Sequence, residues 1–150
     1  MKFSLFYLPA FHESVHKDVR TLYGQIIEEA KLGEEIGLEK IWLAEHHFNP
    51  YGGDIPSPCV LLAAIAQSTE RIGLASGGVA IPLHRPIEVA EQLAMIDVLS
   101  GGRLTIGVVR GFLAYEYEAY GVDMAESRDR FVEGVDIIKG LFSEDRFSFN

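Results

Sequence analysis

A single cysteine, Cys59, excludes a disulfide framework within the 150-residue chain, and a reducing cytoplasm is the expected compartment. Basic residues are also scarce. Thirteen of them against 22 acidic ones give a net charge of -9 and a pI near 4.9, and no basic stripe offsets the repulsion a nucleic-acid backbone would meet. No apolar run approaches the roughly 18 residues of a membrane span. The opening stretch Met1 to Leu8 is short, stops at Pro9 and runs into His12 and Glu13 without a cleavage pattern, so it reads as a strand and not as a signal peptide. Missing too are Gly-x-Gly-x-x-Gly after that strand and Gly-x-x-x-x-Gly-Lys-Ser/Thr anywhere, the loops that hold nucleotide phosphates in doubly wound sheets. No linker, low-complexity tract or composition shift divides residues 1–150, which are read as one unit.

What is present is apolar and periodic. With 48% hydrophobic and 23% charged residues, the chain suits a buried parallel sheet clothed by helices. Lys2 to Leu8 predicts a first strand. Leu22, Ile26, Ala30 and Gly33 then recur at helical spacing within a helix from about Asp18 to Ile36, stopped by Gly37. Lys40 to Ala44 follows as a strand, and beyond the Gly/Pro-rich loop Asn49 to Pro58 comes a helix through Val60 to Ala66, apolar nearly all round and therefore suited to deep burial or a subunit interface. Arg71 to Val79 predicts a third strand, Pro86 opens a helix to about Leu99, and Leu104 to Val109 gives a fourth strand. A fourth helix is expected near Asp123, where Asp123-Met124-Ala125-Glu126 has capping-box spacing, with Phe131, Val135 and Ile138 on its inner face. Four consecutive βα units imply parallel strands. Polar or Gly-rich loops after every strand fit a (β/α) barrel wall, yet a closed barrel takes about 250 residues and eight units, so this chain holds half of one.

The chemistry is expected at Glu45-His46-His47-Phe48, immediately past the second strand, because ligands gather at the carboxyl ends of parallel strands. Histidine, with an unperturbed pKa of about 6.5, manages protons near neutrality with little adjustment. Adjacent side chains in extended backbone diverge, so His46 and His47 are poorly placed to share a metal, and Cys59 lies in a different segment; no metal site is expected. His46 is the candidate for proton transfer, and His47 for holding the loop. Arg128 sits in a first helical turn, where a cation opposes the macrodipole by a few tenths of a kcal/mol; it faces either an anion or a neighbouring carboxylate such as Glu126 or Asp129. Arg110 follows the fourth strand. Gly77-Gly78 ends the third, either as a plain turn or as backbone open to a flat ligand.

As an ordered set, Trp42-Leu43-Ala44-Glu45-His46-His47-Phe48, Ile72-Gly73-Leu74-Ala75-Ser76-Gly77-Gly78 with Pro82 and Pro86, Asp97-Val98-Leu99-Ser100-Gly101-Gly102-Arg103 and Gly121 to Arg128 resemble the luciferase-like flavin monooxygenase family along almost the whole chain. The resemblance implies a TIM-type (β/α) barrel that uses reduced FMN and molecular oxygen to oxidise a small organic substrate, with a separate flavin reductase a possible partner. It implies an active-site histidine at His46 with Glu45 beside it, and flavin contacts at Ser76, Gly77, Gly78, Val109, Arg110 and Arg128, the two arginines toward the phosphate. A non-proline cis peptide is implied at Gly77–Gly78. Val109 departs from the light-emitting catalytic subunit, which has a reactive cysteine there, so light emission is not expected. The family's second half is missing from residues 1–150, which suggests a fragment, inactive alone, whose open sheet edges favour homo- or hetero-oligomers. Two other readings stay open: a deazaflavin (F420)-dependent oxidoreductase needing no oxygen, and a non-catalytic partner subunit of a luciferase-like complex.

Overall fold

Four strands of the computed structural model, which describes residues 1–149, lie side by side in parallel: β1 (Ser4–Tyr7), β2 (Lys40–Leu43), β3 (Gly73–Ser76) and β5 (Leu104–Thr105), in that order. Strand order follows chain order without reversal, which is how one arc of a barrel wall is wound. The register row Leu5–Ile41–Leu74–Leu104 packs into the main core beneath the helices. The next row begins Phe6–Trp42, and Phe6 is 60% exposed, as expected of side chains on the inner face of a wall that is half a circle.

The helices cover the outer face. In α1 (Val19–Glu35), Asp18 caps the first turn by accepting from the Thr21 N–H at 2.7 Å, and Leu22, Ile26, Ala30 and Gly33 are buried as the spacing predicts. Gly37, at φ +81°, supplies the left-handed turn that ends it. Helix α2 (Pro58–Ser68) buries Leu61, Leu62, Ile65 and Ala66, but not its whole circumference: Val60 is 72% exposed beside an open apolar hollow of about 400 Å³ against Tyr23, Ile27 and Ile55. Helix α3 (Pro86–Ser100) starts on its proline and ends at Gly101, φ +66°.

Three details differ from the sequence expectations. The third and fourth strands are each broken. β3 stops at Ser76, the Gly77–Gly78 peptide is cis, as the resemblance implied, and the chain resumes as β4 (Val79–Ala80), which pairs with β6 (Val108–Val109) in a separate two-stranded sheet. The two breaks are one event, because the Ser76 hydroxyl bridges the carbonyl and N–H of Gly107 at 2.8 and 2.9 Å. A Cβ on Gly78 would lie 2.5 Å from the Gly107 oxygen, and one on Gly107 would lie 2.2 Å from the Ser76 oxygen, so contact between the two segments requires both glycines. Second, a short helix, α4 (Ala114–Tyr120), precedes the expected fourth one. Third, the capping box does not close. Asp123 accepts from the Ala125 N–H at 2.8 Å in a 3-10 turn, and Glu126 reaches forward to Arg130 at 2.9 Å, so the long helix α5 (Ser127–Ser143) begins four residues later than predicted. It buries Ile138, with Phe131 and Val135 partly covered. Among the described residues no helix is long and apolar enough to cross a membrane.

Candidate active site

His46 leaves the carboxyl end of β2 with its ring 19% exposed, and its Nδ1 lies 3.3 Å from Oε1 of Glu116 on α4. The same oxygen accepts the His47 main-chain N–H at 2.8 Å. Because a carboxylate oxygen accepts, these partners assign the ring proton to Nδ1 and leave Nε2 as the working nitrogen. Phe112 meets the imidazole edge-on at 6.1 Å between ring centres, and Leu8 and His46 flank the glycine loop at Gly52, whose φ is +87°. The result is a histidine oriented by a buried carboxylate within an apolar collar, the arrangement a general acid or base needs.

His47 is turned to other partners. Its Nε2 lies 2.9 Å from Glu45 Oε1, while its Nδ1 faces the Tyr120 hydroxyl at 3.1 Å. Glu45 Oε1 also meets His84 Nε2 at 2.6 Å, and Oε2 accepts the Ala80 N–H at 3.2 Å. Burial alone would raise the Glu45 carboxyl, but the bonds from His47 and His84, the His84 charge and the Ala80 N–H outweigh it and hold it below the ordinary carboxylate range. Grouped with His46 by sequence, Glu45 is in fact fully engaged and its side chain is only 1% exposed, so it is placed to fix its neighbours and not to exchange protons with a ligand. Glu45, His47 and His84 also form a candidate metal-ligand triad. Their separations of 2.6 and 2.9 Å are hydrogen-bond lengths, shorter than the roughly 3.3 Å between two ligands of one tetrahedral zinc. The triad is better described as a carboxylate clamped by two imidazoles. Cys59, on the far side of Glu45, has its thiol pushed up to about 11 by burial and by that carboxylate, which leaves it unreactive.

Arg110 lies beside α4, and Arg128 follows the 3-10 turn packed against it. The Arg110 carbonyl accepts the Tyr117 hydroxyl. Tyr117 adjoins Glu116, so one short helix connects His46 to the Arg110 backbone. Both arginines are exposed, and among the described residues neither makes an ion pair or side-chain hydrogen bond. Glu126, a partner considered for Arg128, is taken by Arg130. Val109 is 38% exposed beside Arg110. Ser76, expected to face a ligand, is fully buried with its hydroxyl committed to Gly107, and Gly78 is buried with it; this pair shapes the backbone, and only Gly77 retains surface there. Sequence reasoning passed over Glu116, His84 and Tyr120. A carboxylate two turns past a strand end, in Arg110-Gly111 through Glu116, was the one available signal.

A parallel half-barrel with a carboxylate-oriented histidine just past one strand end carries its candidate site where (β/α) barrels place their chemistry. The chain belongs to the luciferase-like monooxygenase family, whose profile matches residues 1–150. The oxygenase component of the flavin-dependent trigonelline monooxygenase of Acinetobacter baylyi is 34% identical over 147 residues, 97% of this chain and 40% of that protein. The 4-hydroxyprotoasukamycin monooxygenase of Streptomyces nodosus subsp. asukaensis is 37% identical over 119 residues, 79% of this chain and 32% of that protein. Among solved structures, monooxygenase RslO1 of Streptomyces bottropensis superposes with a TM-score of 0.96 at 35% identity, over 100% of this chain and 45% of its own. The chain thus spans less than half the length of the relatives it matches. An FMN complex at 20% identity and an F420-dependent alcohol dehydrogenase at 19% share the fold.

Proposed function

We propose that the chain supplies the proton-handling and phosphate-facing part of an FMN-dependent monooxygenase that oxidises a small organic substrate with reduced flavin and O2. The observation that carries this reading is the His46–Glu116 pair at α4, with Arg110 beside the same helix and Arg128 following the turn packed against it, neither arginine having a side-chain partner among the described residues. Two cations without carboxylate partners among the described residues suit a phosphate monoester, and Arg128 in the first turn of α5 would then face an anion that also favours the helix terminus. Gly77 and Val109 would border the flat ring system. When bound, reduced flavin supplies the electrons that activate O2. His46 Nε2 would hold or deliver a proton where oxygen is reduced, and Glu116 would keep that nitrogen aimed. A relative's description as flavin-dependent and as an oxygenase component supports both the cofactor and a separate reductase as partner. The exposed stripe of α2 around Val60 supports association with another subunit.

Titration with FMN, riboflavin and F420 tests the reading. FMN is expected to bind more tightly than riboflavin, which lacks the phosphate, and than F420. Equal affinity for FMN and riboflavin would remove the role given to the arginines, and preference for F420 would favour the deazaflavin alternative.

A further inference from the structure

Helix α4 is only seven residues long and closes at Gly121, too short to hold its orientation by its own hydrogen bonds. Its buried anchor, Tyr117, faces Ala80 and Leu83 on one side. On the site side, Glu116 and Tyr120 stand one turn apart on the same face, and both attach to residues 46 and 47: Glu116 to the His47 N–H and His46 Nδ1, Tyr120 to the His47 ring. The His47 ring is in turn fixed at its other nitrogen by Glu45, which is itself fixed by His84 and the Ala80 N–H.

We infer that Tyr120, His47, Glu45 and His84 form a positioning relay that sets the aim of the Glu116–His46 pair. The tautomers are mutually consistent. With His47 Nε2 donating to Glu45, the Tyr120 hydroxyl, 3.1 Å from Nδ1 and 3.4 Å from Nε2, can donate only to Nδ1, while His84 donates its Nε2 proton to the same carboxylate oxygen. Glu45 and His47 are buried, His84 is partly buried and Tyr120 is 39% exposed, and no buried side-chain nitrogen or oxygen among the described residues is left without a partner, so removing one member disturbs the bonds of the others. The relay joins three separate strand ends: His47 and Glu45 after β2, Ala80 at the end of β4 with His84 beyond it, and Tyr120 after β6. None of the four residues needs to touch substrate or cofactor. Their effect passes through Glu116, whose carboxylate turns with α4.

The role in oxidation rests on the proposed monooxygenase reading, but the relay itself is tested without flavin. In 15N-histidine-labelled protein, the imidazole nitrogen shifts of His46 report its tautomer and titration. Tyr120→Phe, which keeps the ring and removes the hydroxyl, and His84→Leu are expected to move those shifts and the His46 titration midpoint. His84→Gln, whose amide still donates to Glu45, should restore them toward the wild-type values. In turnover, Tyr120→Phe should lower kcat roughly two- to tenfold, the size of one hydrogen bond, with KM nearly unchanged and the pH profile displaced in step with the His46 titration. His46 signals unchanged in both Tyr120→Phe and His84→Leu would overturn the relay, even if both variants melted earlier. Failure of FMN to bind alongside shifted His46 signals would sink the flavin reading and leave the relay standing.

Discussion

The two rims of the half-barrel treat charge in opposite ways. At the amino-terminal rim, Arg103 donates to the carbonyls of Ser100, Ile72, Ala66 and Thr69 and to the Thr69 hydroxyl, at 2.6 to 3.0 Å. Nearby, Glu34 accepts the N–H groups of Glu70, Arg71 and Ile72 where the chain enters β3. Both side chains are consumed by backbone that no helix or strand satisfies, which is a structural task. At the carboxyl rim, Glu45 is held mostly by two histidines and Glu116 is shared between the His46 ring and the His47 N–H, and Arg110 and Arg128 have no protein partner among the described residues. A charge saturated by main chain stabilises a loop; a charge held by another proton carrier, or left free at a strand end, is available for chemistry.

If that division is right, damage to the two rims should separate into different measurements. His46→Ala is expected to lower turnover of the assembled enzyme by roughly 10² or more, the usual share of a positioned acid or base, with the melting temperature close to wild type. Arg103→Met should do the reverse. It strips the charged donor from four carbonyls and a hydroxyl, and a loss of about 2–3 kcal/mol in chemical denaturation is expected while FMN affinity survives. A destabilised His46→Ala, or an Arg103→Met that folds normally but no longer binds flavin, would erase the contrast.

Arg128→Ala sharpens the comparison within the carboxyl rim. Removing a cation with no protein partner should leave folding unchanged, or stabilise α5 slightly by relieving the macrodipole, while weakening FMN about tenfold and riboflavin hardly at all. Calorimetric binding of both ligands to the variant and the parent decides the matter. An equal loss for both would place Arg128 outside the phosphate contact.

The difference between the rims also explains what could be read from the sequence. The four βα units, the inner faces of α1 and α5 and the position of His46 follow from local periodicity and from where a strand ends, and each survives in the structure. The breaks at Gly77 and Gly107 do not, because each exists only through contact with the other 30 residues away. Helix α4 escaped because Ala114-Tyr-Glu-Tyr-Glu-Ala-Tyr120 is two turns long and without an aliphatic stripe. Glu116 escaped with it: its bonds to His46 and His47 span 70 and 69 residues, a pairing that no window of local pattern contains. Arg103 was legible as part of a family stretch, but its structural employment was not, since its acceptors lie at three different chain segments.

The smallest expected effect concerns acid. Burial alone would raise Glu34, but the N–H groups of Ile72, Arg71 and Glu70 outweigh it and hold it below the ordinary carboxylate value of 4.5, and Glu45 is lowered likewise by its histidines. A group whose folded value is depressed binds protons more readily in the unfolded chain, so its contribution is complete above the ordinary value and is lost as pH falls through the lower folded one. Wild-type stability should therefore decline below about pH 4.5. Glu34→Gln should be less stable at neutral pH, show a shallower acid decline, and leave the pH dependence of turnover where it was. Glu45→Gln should flatten the same decline but also displace the turnover profile, because its carboxylate sits one histidine away from Glu116. Denaturation midpoints between pH 3 and 7, paired with turnover over the stable range, separate the two carboxylates. Were Glu34→Gln to displace the turnover profile, the amino-terminal rim would be coupled to the chemistry and the division between the rims would fail.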